Sequence, residues 1–292
     1  PMKSLKYLTS VVAICSATGA LANDDLRAQI DNPAQWAIQT GDYENQRYSD
    51  LDQINAGNVK DLQVSWTFST GVLRGHEGSP LVIGDTMYLH TPFPNIVYAL
   101  DLANEGKIKW KYEPKQDPDV IPVMCCDTVN RGVAYADGKI ILHQADTTVV
   151  ALDAKTGAVA WSVKNGDPSI GETNTATVIP VKDKVIVGIS GGEFGVVGKI
   201  EAYNPTNGEL LWTRPTIEGH MGYVWKDGKK TENGISGGEA GKTWPGDLWK
   251  SGGAATWLGG TYDPDQDLIF MGTGNPAPWN SHLRPGDNLY SS

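Results

Sequence analysis

Short apolar runs separated by turns rich in Gly, Pro, Asp and Asn dominate the chain. Residues 64–68, Val-Ser-Trp-Thr-Phe, alternate apolar with polar positions, the period of a half-buried strand. Residues 139–142 and 184–189 are strand-like runs, and residues 268–272 form an apolar strand after the turn Asp263-Pro-Asp265. Apart from residues 24–30, no segment carries a convincing helical period. Residues 219–246 are polar and Gly-rich and predict a long loop, the kind of segment that often carries function.

The pattern repeats. Residues 151–161 (Ala-Leu-Asp-Ala-Lys-Thr-Gly-Ala-Val-Ala-Trp) align without a gap on residues 202–212 (Ala-Tyr-Asn-Pro-Thr-Asn-Gly-Glu-Leu-Leu-Trp), and residues 99–110 add a third copy with one extra residue. Trp110, Trp161 and Trp212 therefore recur every 51 residues. Each copy predicts a strand, a Gly-containing turn and a second strand. With the strand-like runs between copies, four strands fall in each period of about 50 residues, which predicts propeller blades. The fold class expected is all-β, a β-propeller with Trp-bearing repeats. A ring must close, because a blade cannot bury both faces alone. About 270 residues at about 50 per blade give roughly five blades, so the chain is a small propeller or part of a larger one. Residues 288–292 look like the start of a further strand.

Met2, Lys3 and Lys6 precede an apolar run over residues 7–15 and small residues ending Ala20-Leu-Ala22. This is the order of a secretory signal peptide, assigned to residues 1–22 and too short to span a bilayer, with the propeller domain occupying residues 23–292. Pro1, ahead of Met2, is treated as a remnant. Ile14 is bulky where a lipid-modified cysteine wants a small neighbour, which disfavours that fate for Cys15. The content of 34 Gly, 17 Pro and 10 Trp suits a loop-rich all-β protein. The net charge of −10 becomes −12 once Lys3 and Lys6 leave, which argues against nucleic acid and anionic membrane surfaces as partners.

Cys125 and Cys126 are adjacent, and they are the cysteines left after the leader. In a strand they would be two buried thiols on opposite faces. A bond between them would span a Cα separation of about 3.8 Å, where ordinary disulfides want about 4.4–6.8 Å, and such strain is typical of functional sites. Export to an oxidising compartment favours bonding, to each other or to another molecule.

Several motifs lead elsewhere and fail. Gly188-Ile-Ser190-Gly-Gly192 has the spacing of a hydrolase nucleophile elbow, but poor helix formers follow. Residues 272–277 match a dinucleotide fingerprint, but Pro276 and Pro278 oppose the helix it requires. The five histidines lack zinc spacing. Glu193 and Asn275 lie in Gly-containing turns after strands. A carboxylate and an amide oxygen suit a hard cation such as calcium, although singly they also read as a solvated loop acid and a turn former.

Gly75-His-Glu-Gly-Ser-Pro80, Cys125-Cys-Asp-Thr-Val-Asn-Arg-Gly132, Ile189-Ser-Gly-Gly-Glu-Phe-Gly195 and Gly272-Thr-Gly-Asn-Pro-Ala-Pro-Trp-Asn280 together resemble the large subunit of methanol dehydrogenases that use pyrroloquinoline quinone (PQQ). The match runs in order from about Asn32 to the last residue. The resemblance implies an eight-bladed quinoprotein propeller of which this chain is a partial copy, the N-terminal half. It implies that Glu77, Arg131, Thr175, Ser190 and the backbone of Gly191 and Gly192 hydrogen-bond the quinone. A Cys125–Cys126 disulfide would cover one face of it and Trp257 would stack on the other, with Glu193 and Asn275 holding the metal. No catalytic residue is assigned: the general-base aspartate of the family is expected beyond Ser292, so this chain alone is expected to be inactive. Residues 90–101, 122–126 and 171–176 look most like the lanthanide-dependent branch, whose deciding aspartate is also expected beyond Ser292. The metal is thus a lanthanide(III) or calcium. The implied activity is periplasmic oxidation of a primary alcohol, foremost methanol, with cytochrome c as electron acceptor, no membrane span, and a homodimer as an open option. Thr256-Trp-Leu-Gly-Gly260 lacks the second aromatic usual in methanol enzymes, which keeps a calcium-dependent ethanol-type dehydrogenase as the alternative. A non-enzymatic propeller scaffold would need the repeats but not Glu193, Asn275 or the cysteine pair.

Overall fold

The structure, a computed structural model, describes residues 24–217, 222–226, 229–233 and 238–291. The leader assigned to residues 1–22 lies outside the described residues. A short helix, α1 (Asp24–Ile30), opens the described chain where the helical period was expected. Apart from a one-turn helix, α2 (Gly238–Gly241), and short 3-10 turns, the regular structure that follows is antiparallel sheet. The first blade is β1 (Leu81–Ile83), β2 (Thr86–His90), β3 (Val97–Asp101) and β4 (Lys107–Tyr112); the second is β5 (Val133–Ala136), β6 (Lys139–His143), β7 (Thr148–Asp153) and β8 (Val159–Lys164). The third is β9 (Ile179–Val181), β10 (Lys184–Val187), β11 (Lys199–Tyr203) and β12 (Leu210–Pro215). In each, neighbouring strands pair in sequence order, the meander of a propeller blade.

Three expectations need correction. Residues 288–291, read as the start of a further strand, form a turn closed by Ser291 N donating to the carbonyl of Asn288 at 3.1 Å. The long loop expected over residues 219–246 contains a hairpin, β13 (Gly222–Lys226) and β14 (Lys229–Asn233), which extends the third blade from β12. Its strands are short and set among glycines and charges, so composition hid them. Residues 64–68, expected as a strand, join no ladder among the described residues. They are held by packing instead: Trp66 and Phe68 lie against Ile96, Tyr98 and Leu100.

The repeat has a physical cause visible in each copy. Ala99 faces Trp110, Ala151 faces Trp161 and Ala202 faces Trp212, and directly after each alanine the register slips by one residue in a β-bulge. The indole then docks on the turn of the next blade. A Cβ on Gly106, Gly157 or Gly208 would stand 2.5, 2.7 or 2.6 Å from the ring of Trp66, Trp110 or Trp161 respectively, and all three glycines have φ near +74°. Only glycine meets both demands. Trp110 and Trp161 donate their indole N–H to the carbonyls of Ala154 and Pro205 at 3.0 and 2.8 Å, so the buried ring leaves no orphan donor.

The core lies between blades. Leu81, Val97 and Trp110 of the first pack on Ile140, Leu142 and Leu152 of the second, and Ala134, Ile141 and Trp161 of the second pack on Val185, Val187 and Tyr203 of the third. Each fully buried aliphatic chain contributes about 1.5–3 kcal/mol. A hairpin of β15 (Thr261–Asp263) and β16 (Leu268–Phe270) packs Tyr262 against the third blade.

An N-terminal strap crosses the inner strands of all these sheets. Trp36 pairs with Val82 through two backbone bonds of 2.9 Å; Gln39 donates to the carbonyl of Arg131; the Tyr43 hydroxyl donates to the carbonyl of Pro180 at 2.9 Å; and Thr261 donates to the carbonyl of Tyr43. The strap thus ties the inner edge of the blades together where the site residues begin.

Candidate active site

Two kinds of segment border the inner strands: those leading into a first strand and those leaving a second. Cys125, Cys126, Val129 and Arg131 lead into β5, Thr175 into β9, and Ala255 and Trp257 into β15. Ser190, Gly191, Gly192 and Glu193 leave β10, and Gly274, Asn275 and Trp279 leave β16. These residues line one cavity of about 300 Å³. Of the residues singled out in the sequence, all but Glu77 line it. Glu77 meets the site through Arg131, whose Nη2 lies 2.7 Å from its carboxylate.

Cys125 and Cys126 are bonded to each other, which settles the alternatives left open by the sequence. Cys126 and Asp127 both have left-handed backbones, φ 64° and 76°, a conformation that costs a non-Gly residue energy and that the surroundings must enforce. Asp127 supplies part of that enforcement. Its carboxylate accepts from Gly75 N at 3.0 Å, Thr128 N at 2.8 Å and Arg74 Nη1 at 3.1 Å. The backbone N–H groups of Gly75 and Thr128, with Arg74, hold its pKa below the usual carboxylate range.

Arg131 is the most connected side chain of the rim. Besides Glu77, its Nη1 donates to the carbonyls of Thr175 at 3.0 Å and Trp257 at 3.4 Å. Its guanidinium lies 5.0 Å from the Trp257 ring centre, within cation–π range. The Thr175 hydroxyl reaches Ser190 Oγ at 3.0 Å and the carbonyl of Trp257 at 3.1 Å. Thr256, fully buried beside Trp257, accepts from Ile189 N at 2.9 Å and donates to the carbonyl of Lys199 at 2.6 Å. The Trp257 wall is therefore bound to the turn that carries Ser190.

Glycines shape the rest. At Gly191, φ is +115° and a Cβ would stand 2.0 Å from the carbonyl oxygen of Gly171, so the turn after β10 tolerates no side chain there. Residues 252–255 and 274–277 pair through bonds such as Gly274 N to Ala255 O at 2.8 Å, and a Cβ on Gly274 would stand 3.0 Å from the Trp257 indole. Glu193 and Asn275 are exposed and border the same cavity. Among the described residues no group of three or more His, Cys, Asp or Glu side chains could hold a metal. A cation here would take one carboxylate and one amide oxygen from these residues, suited to a hard ion that keeps other oxygen ligands.

Val129, Ala255, Gly274 and Trp279 line the cavity without having been singled out. Each lies within a few residues of one that was, and Trp279 sits inside the motif beginning at Gly272.

Tandem four-stranded blades locked by Trp–Gly docking define a β-propeller, and their inner rim gathers a disulfide, an arginine, hydroxyls and an indole around one slot. Over residues 36–292 the chain matches the PQQ glucose/ethanol/alcohol dehydrogenase β-propeller domain, and it belongs to that family. It is 61% identical over 292 residues to the lanthanide-dependent methanol dehydrogenase of Methylorubrum extorquens, a match covering 99% of this chain and 49% of that protein. It is 53% identical to the quinoprotein alcohol dehydrogenase PedH of Pseudomonas putida, over 100% of this chain and 49% of that one. A europium-containing methanol dehydrogenase superposes with a TM-score of 0.84 at 45% identity, over 92% of this chain and 47% of its own. The chain thus spans about half the length of the relatives it matches. The partial quinoprotein propeller expected from the sequence is borne out.

Proposed function

We propose that this chain supplies the quinone- and metal-binding rim of a PQQ-dependent alcohol dehydrogenase. The observation that carries the reading is that segments scattered from Cys125 to Trp279 meet in one slot whose lining suits a flat, anionic, aromatic acid. PQQ held there would supply the acceptor for hydride from an alcohol carbon, and a cation held by Glu193 and Asn275 would supply Lewis acidity. Arg131 presents fixed charge to carboxylates at the rim, and Thr175 and Ser190 present hydroxyls. Gly191 and Gly192 leave backbone close to the slot. The Cys125–Cys126 bond and the Trp257 indole supply apolar walls, and Glu193 and Asn275 supply oxygens for a lanthanide(III) or calcium. Glu77 neutralises and orients Arg131. The general-base role falls to none of these residues, since Glu193, the carboxylate in the lining, is given to the cation.

Methanol is the leading substrate and cytochrome c the leading electron acceptor. Support comes from the Methylorubrum extorquens relative and from a 44% identical Paracoccus denitrificans protein named methanol dehydrogenase [cytochrome c] subunit 1. Residues 1–22, read as a signal peptide, favour the periplasm, and no described helix is long and apolar enough to cross a membrane. PedH is named an alcohol dehydrogenase rather than a methanol dehydrogenase, and Leu258 follows Trp257 where methanol enzymes carry a second aromatic; both favour a second reading, a calcium-dependent ethanol-type quinoprotein dehydrogenase. Titrating the apoprotein with PQQ, with calcium or lanthanum present, tests the core of the proposal. Saturable, metal-dependent quenching of tryptophan fluorescence is expected; absence of binding with either metal would overturn it.

A further inference from the structure

Arg131 and Thr175 are each the middle residue of the same small device. Asn130 Oδ1 accepts from Gly132 N at 3.1 Å, and Asn174 Oδ1 accepts from Ala176 N at 3.0 Å. These are Asx turns, in which the asparagine bends the backbone around the residue that follows it. One turn leads into β5 and the other towards β9, so they sit at equivalent places in adjacent blades.

Both asparagines are buried, at 1% and 0% exposure, and neither lines the cavity. Their amide groups share one acceptor. Asn130 Nδ2 donates to the carbonyl of His143 at 2.9 Å, and Asn174 Nδ2 donates to the same oxygen at 2.7 Å. A carbonyl oxygen has two lone pairs, and here both are used by side chains from two different blades. The circuit closes on the cavity side, where Arg131 Nη1 donates to the carbonyl of Thr175 at 3.0 Å.

We propose that Asn130 and Asn174 are positioning residues, yoked through the His143 carbonyl, which together set the separation of Arg131 and Thr175 and so the fit of the rim to the quinone. The inference rests on the cofactor role given to Arg131 and Thr175 above. A yoke of this kind differs from ordinary core hydrogen bonding in two ways. Freeing one asparagine releases the constraint that both impose, and the effect on the ligand passes through the rim side chain.

The test is equilibrium binding of PQQ, with calcium or lanthanum present, to the full chain and its variants, with thermal unfolding followed in parallel. Asn130→Ala and Asn174→Ala are each expected to weaken quinone binding roughly tenfold, the equivalent of one hydrogen bond of constraint. Asn130→Ser and Asn174→Ser keep a hydroxyl able to accept from the turn N–H but lose the reach to His143, and they serve if the alanine variants do not fold. The double variant is expected to bind much more tightly than the product of the two single losses would give, because the first change already frees the shared carbonyl. In an Arg131→Ala background, Asn130→Ala or Asn130→Ser is expected to change quinone affinity less than about twofold while lowering the melting temperature as before. Wild-type affinity in both serine variants, losses that multiply in the double variant, or the same loss with and without Arg131 would each overturn the yoke. Wild-type affinity in Arg131→Ala itself would instead overturn the cofactor reading, and the yoke with it.

Discussion

The outer turns of the blades and their inner rim are built on opposite principles. At the outer turns the same parts recur: a buried alanine, a bulge, a tryptophan and a glycine at positive φ. On the inner rim the side chains that face the slot differ from blade to blade, even where a backbone turn recurs. One brings a disulfide and Arg131, another Thr175 and the turn at Ser190, another Trp257 and Asn275. The outer pattern answers a problem every blade shares, burying its faces against neighbours. On the proposed function, the inner pattern answers a problem posed once, by a single unsymmetrical ligand.

Breaking each region should therefore give different losses. Trp161→Ala opens a cavity between the second and third blades and is expected to cost about 3–5 kcal/mol of stability, read as a lowered urea midpoint. Any loss of ligand binding should follow from that unfolding. Glu193→Ala should do the reverse. A surface change away from packing costs about 0.5 kcal/mol or less, while metal-dependent quinone binding should disappear. If Glu193→Ala unfolded the chain, or Trp161→Ala left its stability unchanged, the division between the regions would fail.

A more gradual effect concerns acid. His90 and His143, the last residues of β2 and β6, are buried, and His143 has no hydrogen-bond partner for either ring nitrogen among the described residues. Burial lowers the pKa of His90 to about 4 and that of His143 to about 3. The unfolded chain binds these protons near pH 6.5, so it gains protons first as pH falls. Stability is then full above about pH 6.5, declines down through the folded values, and levels off below them, a loss on the order of 3 kcal/mol for His90 and about 5 kcal/mol for His143. Melting temperatures between pH 7 and 4 should show the decline. His143→Leu keeps the backbone carbonyl that serves Asn130 and Asn174 and should flatten the curve; an unchanged slope would remove His143 from the account.

Legibility in the sequence followed the same division. The blades could be read because Trp110, Trp161 and Trp212 recur at one spacing, and a repeated physical problem leaves a repeated sequence. The hairpin β13–β14 occurs once, among glycines and charges, and went unseen. The missing ladder at residues 64–68 could not be read either, since alternation records which face is buried and not whether an edge is paired. On the rim, Arg131, Thr175 and Trp257 were found through motif resemblance, because nothing in periodicity distinguishes them. Nothing in the sequence singled out Asn130 and Asn174; only the fold brings residues 44 apart to one carbonyl. Asp127 and Thr256 were hidden for the same reason, as their partners lie 52 and 67 residues away in sequence.

The most direct test of the account is a crystal grown with PQQ and lanthanum, examined by anomalous diffraction. A peak is predicted about 2.3–2.6 Å from both a Glu193 carboxylate oxygen and the Asn275 amide oxygen, with the quinone lying between the Cys125–Cys126 bond and Trp257. A peak elsewhere, or Glu193 and Asn275 oxygens too far apart to share one ion, would contradict it.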